Sequence, residues 1–320
     1  MSQPPCCATH AALDSPTTPS RHFLVPFNRL PPHHSAFPLD LVKTRGDVYC
    51  RCLISSLMVS RGTRNDTSFT AVALGAPILS PNLSQARPAA GGGSSGVEGG
   101  LPVDSAPIFI RACGRHIKAL RPDQTTCAAI LSATLPPHSG SGGAGHAQLI
   151  ASGALNTIEG KRGCCQGIYV GLGGIPAAVQ SLAAAPLAGP RPLAIVLQEG
   201  AAEGLEAVLA RVTTATATQP APTSYLVILG DNEGLSSEQS AQLTAALEAA
   251  HVPLAYASLG GSELLASQCM VIVHYLLDQA LGASTVAKAS FVQECRYADK
   301  IYPCQACSPY HPDLSGAGRE

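Results

Sequence analysis

The chain has 320 residues, 46% hydrophobic and only 13% charged, which excludes a wholly disordered polypeptide and leaves ample length to bury a core. A formal net charge of −1 argues against a DNA binder held by bulk charge, but the balance is uneven. Between Arg21 and Asp123 there are 12 Lys/Arg against 6 Asp/Glu, and elsewhere 8 against 15, so an RNA or phosphate partner is expected on the first half.

In chain order, short apolar runs alternate with helical patterns. Residues 22–25 read as a strand, and 47–61 as a helix with Val48, Cys52, Met58 and Val59 at three/four spacing. Residues 69–74 and 108–110 read as strands. Pro122-Asp123 opens a helix to about residue 135. Residues 168–170 form a strand before a helix at 175–187. The last third is cleaner: strands at 193–197, 225–229 and 253–257 each precede a helix, at 201–211, 236–250 and 263–281. Continuous apolar strands alternating with helices predict an α/β class with a parallel sheet covered on both faces.

Gly/Ser- and Ala/Pro-rich stretches punctuate these elements. The expected organisation is a disordered segment over 1–20, a single α/β domain over 21–282 with low-complexity insertions at 80–106 and 136–163, and a Cys-containing extension over 283–320. No stretch has the charged and apolar regions of a secretory leader, and no run approaches the roughly 18 apolar residues of a membrane span. The 12 cysteines are therefore expected to be reduced, in a cytoplasmic protein without a membrane partner. In the extension, Cys295, Cys304, Cys307 and His311 hold one Cys-x-x-Cys pair, half a zinc pattern, and no metal is expected there.

Four constellations bear on chemistry. Gly171-Leu172-Gly173-Gly174-Ile175-Pro176 follows a strand but has Pro176 where a dinucleotide fingerprint needs its third glycine, so a plain strand–helix turn is expected. Gly230-Asp231-Asn232-Glu233-Gly234 ends an apolar strand, where open α/β sheets bind ligands; a capped turn is the other reading. If a ligand approaches Gly230, a β-branched residue there harms binding more than folding. Ser258-Leu259-Gly260-Gly261, with Leu197-Gln198-Glu199-Gly200, adds two further strand-end loops to a small-ligand pocket. Asp47, within Arg45-Gly46-Asp47-Val48-Tyr49-Cys50-Arg51-Cys52, stands at a helix start, as a cap or as a functional carboxylate; Arg45 and Arg51 face solvent or hold phosphates.

These blocks together resemble the tRNA (pseudouridine-54-N1)-methyltransferases, members of the trefoil-knotted, S-adenosylmethionine-dependent SPOUT superfamily. The resemblance runs discontinuously from His22 to Asp278. It rests on His22-Phe23-Leu24-Val25, the Arg45-x-Asp47-x-x-Cys50-Arg51-Cys52 helix, Pro122-Asp123, Gly167-Ile168-Tyr169-Val170, Leu229 to Gly234, Ser258-Leu259-Gly260, and Cys269 with His274 and Asp278. Asn232 stands where the family usually has histidine, and Leu265-Ala266-Ser267-Gln268-Cys269 where it has His-x-x-His-Cys.

The resemblance implies a C-terminal trefoil knot, and S-adenosyl-L-methionine held by Leu197, Gly230, Leu259, Leu264 and Cys269. It implies methyl transfer to N1 of pseudouridine in the tRNA T-loop and a homodimer. Asp47 is then the candidate base or orienter, aided by Arg45, and Arg45 and Arg51 are the candidates to hold RNA. A ribosomal-RNA pseudouridine target, or a weakened member that binds RNA or a partner protein, is the alternative.

Overall fold

The computed structural model describes residues 20–30, 41–42, 44–60, 62–74, 107–115, 117, 120–134, 156–157, 167–184, 192–214, 221–281 and 290–291. In chain order the elements are β1 (Ser20–Phe27), α1 (Gly46–Leu57), β2 (Met58–Val59), β3 (Gly62–Thr63), β4 (Thr67–Ala73), β5 (Ile108–Cys113), α2 (Gln124–Thr134), β6 (Asn156–Thr157) and β7 (Ile168–Leu172). There follow α3 (Ile175–Ala184), β8 (Pro192–Leu197), α4 (Leu205–Thr213), β9 (Ser224–Ile228), α5 (Ser237–Ala249), β10 (Leu254–Ala257), α6 (Ala266–Leu281) and β11 (Ser290–Phe291).

Eight strands form one sheet in the order β10-β8-β9-β1-β4-β5-β7-β6. The five from β10 to β4 are mutually parallel, as the continuous apolar runs imply, whereas β5 lies antiparallel to both β4 and β7. The sheet is thus mostly parallel and mixed at one side. Alternating residues of the central strands face two cores. Phe23, Phe69, Ile195 and Val227 pack with α1, α2, α4 and α6 on one face. Leu24, Val72, Val196 and Leu226 pack with α3 and α5 on the other.

This layering decides where a ligand can enter. The chain leaves β1 and β8 toward the α1/α4 face but leaves β9, which lies between them, toward the α5 face. Neighbouring strands whose connections depart to opposite faces open a crevice beyond their carboxyl ends, at the topological switch point.

Several boundaries differ from the expected ones, each for a local reason. Helix α1 stops at Leu57 because Met58 turns extended and a short β2–β3 hairpin follows, with Ser60 at φ 42°. Helix α4 begins at Leu205 rather than residue 201, because Gly204 is extended and bridges Ser258. Helix α2 starts after Asp123, whose carboxylate accepts the Thr126 N–H at 2.7 Å as its N-cap; Pro122 precedes the cap. The expected zinc-free extension with Cys295, Cys304, Cys307 and His311, the segment 1–19 and most of the two insertions lie outside the described residues. Among the described residues, Cys50, Cys52, Cys113, Cys127 and Cys269 are free thiols, and no helix is long and apolar enough to cross a membrane.

Candidate active site at the strand ends

Three loops meet beyond the carboxyl ends of β8, β9 and β10. Ser258 is held inside the loop that follows β8. Its N–H donates to the Glu203 carbonyl and its carbonyl accepts from the Leu205 N–H, both at 2.9 Å. Its hydroxyl donates to the Glu199 carbonyl at 3.1 Å. Leu197, Leu259 and Cys269 are partly buried and each packs against the core on the α6 face of the sheet. Leu264 lies just ahead of α6, its carbonyl 4.0 Å from the Cys269 thiol. A Cβ added at Gly200 or Gly261 would meet nothing within 4 Å, so the loop backbone there lies open to a ligand. Gly260 is equally open and takes φ 118°, a conformation that favours glycine.

Gly230 is different. A Cβ on it would come 2.5 Å from the Cα and 2.8 Å from the carbonyl oxygen of Gly234. The close approach that this glycine permits is to its own loop, which corrects the expectation that a ligand alone requires it. Gly230→Val is therefore expected to lower stability by about 1–3 kcal/mol, the usual cost of overpacking, together with ligand affinity. Thermal unfolding and calorimetry on the same variant check this; an unchanged melting temperature would contradict the packing account.

Helix α1 brings the arginine and aspartate block to the same place. Asp47 is not the cap: the N-cap position belongs to Arg45, at φ 59° and ψ 18°, with no side-chain cap hydrogen bond. Asp47 lies in the first turn, where its charge suits the helix dipole, and pairs through Oδ2 with Arg51 Nη2 at 2.9 Å. Its Oδ1 is buried and has no hydrogen-bond partner among the described residues. Arg51 remains 36% exposed and so can turn outward toward a polyanion.

The Cys52 thiol lies buried on this helix. Burial pushes its pKa up to about 12; Arg51 opposes the rise, while Cys269, Asp231 and Asp47 add to it. Helix α1 follows β1 and precedes its parallel neighbour β4, so its N-terminal block stands at the carboxyl end of β1, beside that of β9. Further along α1, Ser55 lines one groove with Leu264, Ser267 and Gln268, so the helix borders the segment that follows β10. Burial also raises the Cys269 thiol, with Glu199 adding to the rise, so it is protonated near neutral pH and offers packing rather than a nucleophile.

His274 and Asp278 are not part of this junction. They lie on the C-terminal half of α6, where Asp278 Oδ1 meets the fully buried Arg21 guanidinium at 2.6 Å and its Oδ2 meets Arg64 at 3.3 Å. His274 contacts Arg21 at 3.3 Å and the Ser56 carbonyl at 2.9 Å. Arg21 is the second residue of β1, so this network sits at the opposite end of the sheet from the loops.

Gln268 acts locally, its Oε1 accepting the Leu265 N–H at 2.9 Å at the start of α6. Gly171 and Gly173 are used by packing, the first against the Phe109 ring and the second, at φ 105°, against Ala177, in keeping with a plain turn. The structure also brings Asn28 to the junction, which no sequence motif singles out, and joins it to Gln239 of the Ser236-Ser237-Glu238-Gln239 helix start. Asn28 does carry a signal in sequence, as a polar residue directly after an apolar strand.

Two grooves flank the junction. One of about 570 Å³, lined by Gln198, Leu235, Ser237, Ser240 and Tyr256, opens on the α5 face and contains none of the expected cofactor residues. The other, about 370 Å³, runs between α1 and α6 and includes Leu264.

No family model and no curated protein matches this sequence. Among solved structures, that of Archaeoglobus fulgidus Nep1 bound to S-adenosylhomocysteine is similar, at 9% sequence identity and a TM-score of 0.40, over 82% of this chain and 99% of its own. At that score the likeness assigns neither family nor ligand to this chain.

Proposed function

We propose that this protein uses S-adenosyl-L-methionine to methylate N1 of pseudouridine in RNA, with the tRNA T-loop as target. The observation that supports the proposal is that open glycine loops and the N-terminus of α1, which bears Asp47, both stand at the carboxyl ends of the parallel strands. The sequence resemblance supplies the identity of the ligand and the reaction.

In this reading the cofactor lies along Leu197, Gly230, Leu259, Leu264 and Cys269, mostly against backbone groups, and supplies the electrophilic methyl. The chain supplies position and proton transfer. Asp47 accepts or orients the N1 proton of pseudouridine once its buried Oδ1 is turned toward the base, while Arg51 holds Oδ2. Arg45 and the exposed side of Arg51 hold RNA phosphates, with the target base turned out of its stack.

A homodimer fits the same reading. Val271 and Tyr275 stand one turn apart on α6 at 56% and 62% exposure, and Leu265, just ahead of the helix, is also exposed. A second copy docked over this apolar face and the adjoining 370 Å³ groove would cover it. The reading also carries the trefoil knot of the family and a cytoplasmic site of action.

Calorimetry with S-adenosylmethionine tests the cofactor. Micromolar affinity supports the enzyme, and no binding at millimolar cofactor sinks it in favour of an RNA or protein binder. Mass spectrometry of nucleosides from both tRNA and small-subunit ribosomal RNA, with and without the protein, separates the two RNA targets.

A further inference from the structure

Resting on the cofactor reading above, we propose that Asn28 is a positioning residue that fixes the shape of the Gly230–Gly234 loop. Asp231 invites a different role, since a carboxylate in a glycine loop suggests a contact to ligand. Its acceptor positions are already taken. Oδ2 accepts the Asn28 N–H at 2.9 Å, and the Asn28 Nδ2 group lies 3.2 Å from Oδ1 and 3.3 Å from Oδ2. Oδ1 also accepts the Glu233 N–H at 2.9 Å, closing the turn.

The far end of the loop reaches the same asparagine. Gln239 Oε1 accepts the Ser236 N–H at 2.9 Å and Gln239 N–H donates to Ser236 Oγ at 3.1 Å, a capping box at the start of α5. The remaining donor of that amide, Nε2, binds Asn28 Oδ1 at 2.7 Å. Asn28 therefore uses its donor group on the first half of the loop and its acceptor on the second. Its backbone stands at the end of β1, directly beside the β9 carboxyl end, where the Leu229 N–H meets the Leu24 carbonyl at 3.1 Å.

A loop clamped at both ends to the central strand presents its backbone groups to a cofactor in one geometry, and loosening it costs affinity without touching the reacting atoms. The neighbouring Arg29–Glu233 ion pair spans the same gap, but at 59% and 40% exposure it contributes little and serves as a control.

The test uses the full chain with S-adenosylhomocysteine as probe, and hydrogen exchange of the 230–235 amides. Asn28→Ala should speed exchange of those amides, weaken probe affinity and raise the KM for S-adenosylmethionine by about tenfold or more, and leave kcat at saturating cofactor nearly unchanged. Arg29→Ala should do none of these. Asn28→Asp sets two carboxylates together and should be as damaging. Adding Asp231→Asn should not restore the loop, because both Asp231 oxygens accept a backbone N–H and an asparagine can serve only one of them. Unchanged exchange in Asn28→Ala overturns the clamp. Faster exchange with unchanged probe affinity overturns its positioning role. If the wild type itself does not bind the probe, the cofactor reading fails and the exchange results alone decide the clamp.

Discussion

Replacing Asp47 with asparagine is expected to slow methyl transfer by about 10²- to 10⁴-fold, the usual contribution of a positioned general base, with cofactor affinity unchanged. The substitution separates chemistry from architecture because Asp47 does not cap α1; Arg45 occupies that position. Asparagine keeps the shape and can still accept from Arg51, so the structural loss is confined to a half-exposed i,i+4 pair and a helix-dipole contact, under about 1 kcal/mol. What asparagine cannot do is take a proton on the atom that is Oδ1 in the wild type. Arg45→Lys should weaken RNA binding more than it slows bound turnover, since a fork of donors is lost while the charge stays. Single-turnover assays at saturating enzyme measure both. A wild-type rate in Asp47→Asn would remove this carboxylate from the reaction.

The second large effect is on stability. Arg21→Met should destabilise the fold by about 3–5 kcal/mol, because it leaves Asp66 without its buried cation and Asp278 with Arg64 alone. The same network fixes the acid limb of the stability curve. Burial, then Arg64 and Arg21, lowers His274 from 6.5 to about 3. A histidine held neutral in the folded state contributes fully above its unfolded pKa. That contribution is lost as pH falls from about 6.5 toward 3, amounting to about 2 kcal/mol by pH 5. Without Arg21 the His274 pKa should rise, so the variant, though less stable, should lose less between pH 7.5 and pH 5. Urea unfolding at the two pH values reads both effects. An equal acid sensitivity in wild type and variant would contradict the coupling of Arg21 to His274.

The residues differ in how much of this they announce. The runs around Phe23, Ile195 and Val227 are apolar at every position because both faces of their strands are covered, so the parallel core is legible from sequence. The antiparallel side is not, since nothing in residues 108–113 records the direction of a neighbour. The two-residue strands at Met58 and Gly62 are too short for any periodicity. At the site, glycines at strand ends mark the loops, but Gly230 and Gly260 look alike in sequence while one is filled by its own chain and the other stands open. His274 and Asp278 read as marks of a family because their partner Arg21 lies at the far end of the chain, on β1. The partners of Asn28 are hidden for the same reason: Asp231 and Gln239 become its neighbours only when β9 is laid beside β1.

The most direct measurement is the product of a single turnover. A T-loop hairpin carrying pseudouridine, and its uridine counterpart, would each be incubated with excess protein and methyl-labelled S-adenosylmethionine, then digested and analysed by mass spectrometry. The proposed activity predicts N1-methylpseudouridine from the first hairpin and no methylated nucleoside from the second. An unmodified pseudouridine hairpin at saturating protein and cofactor would contradict it.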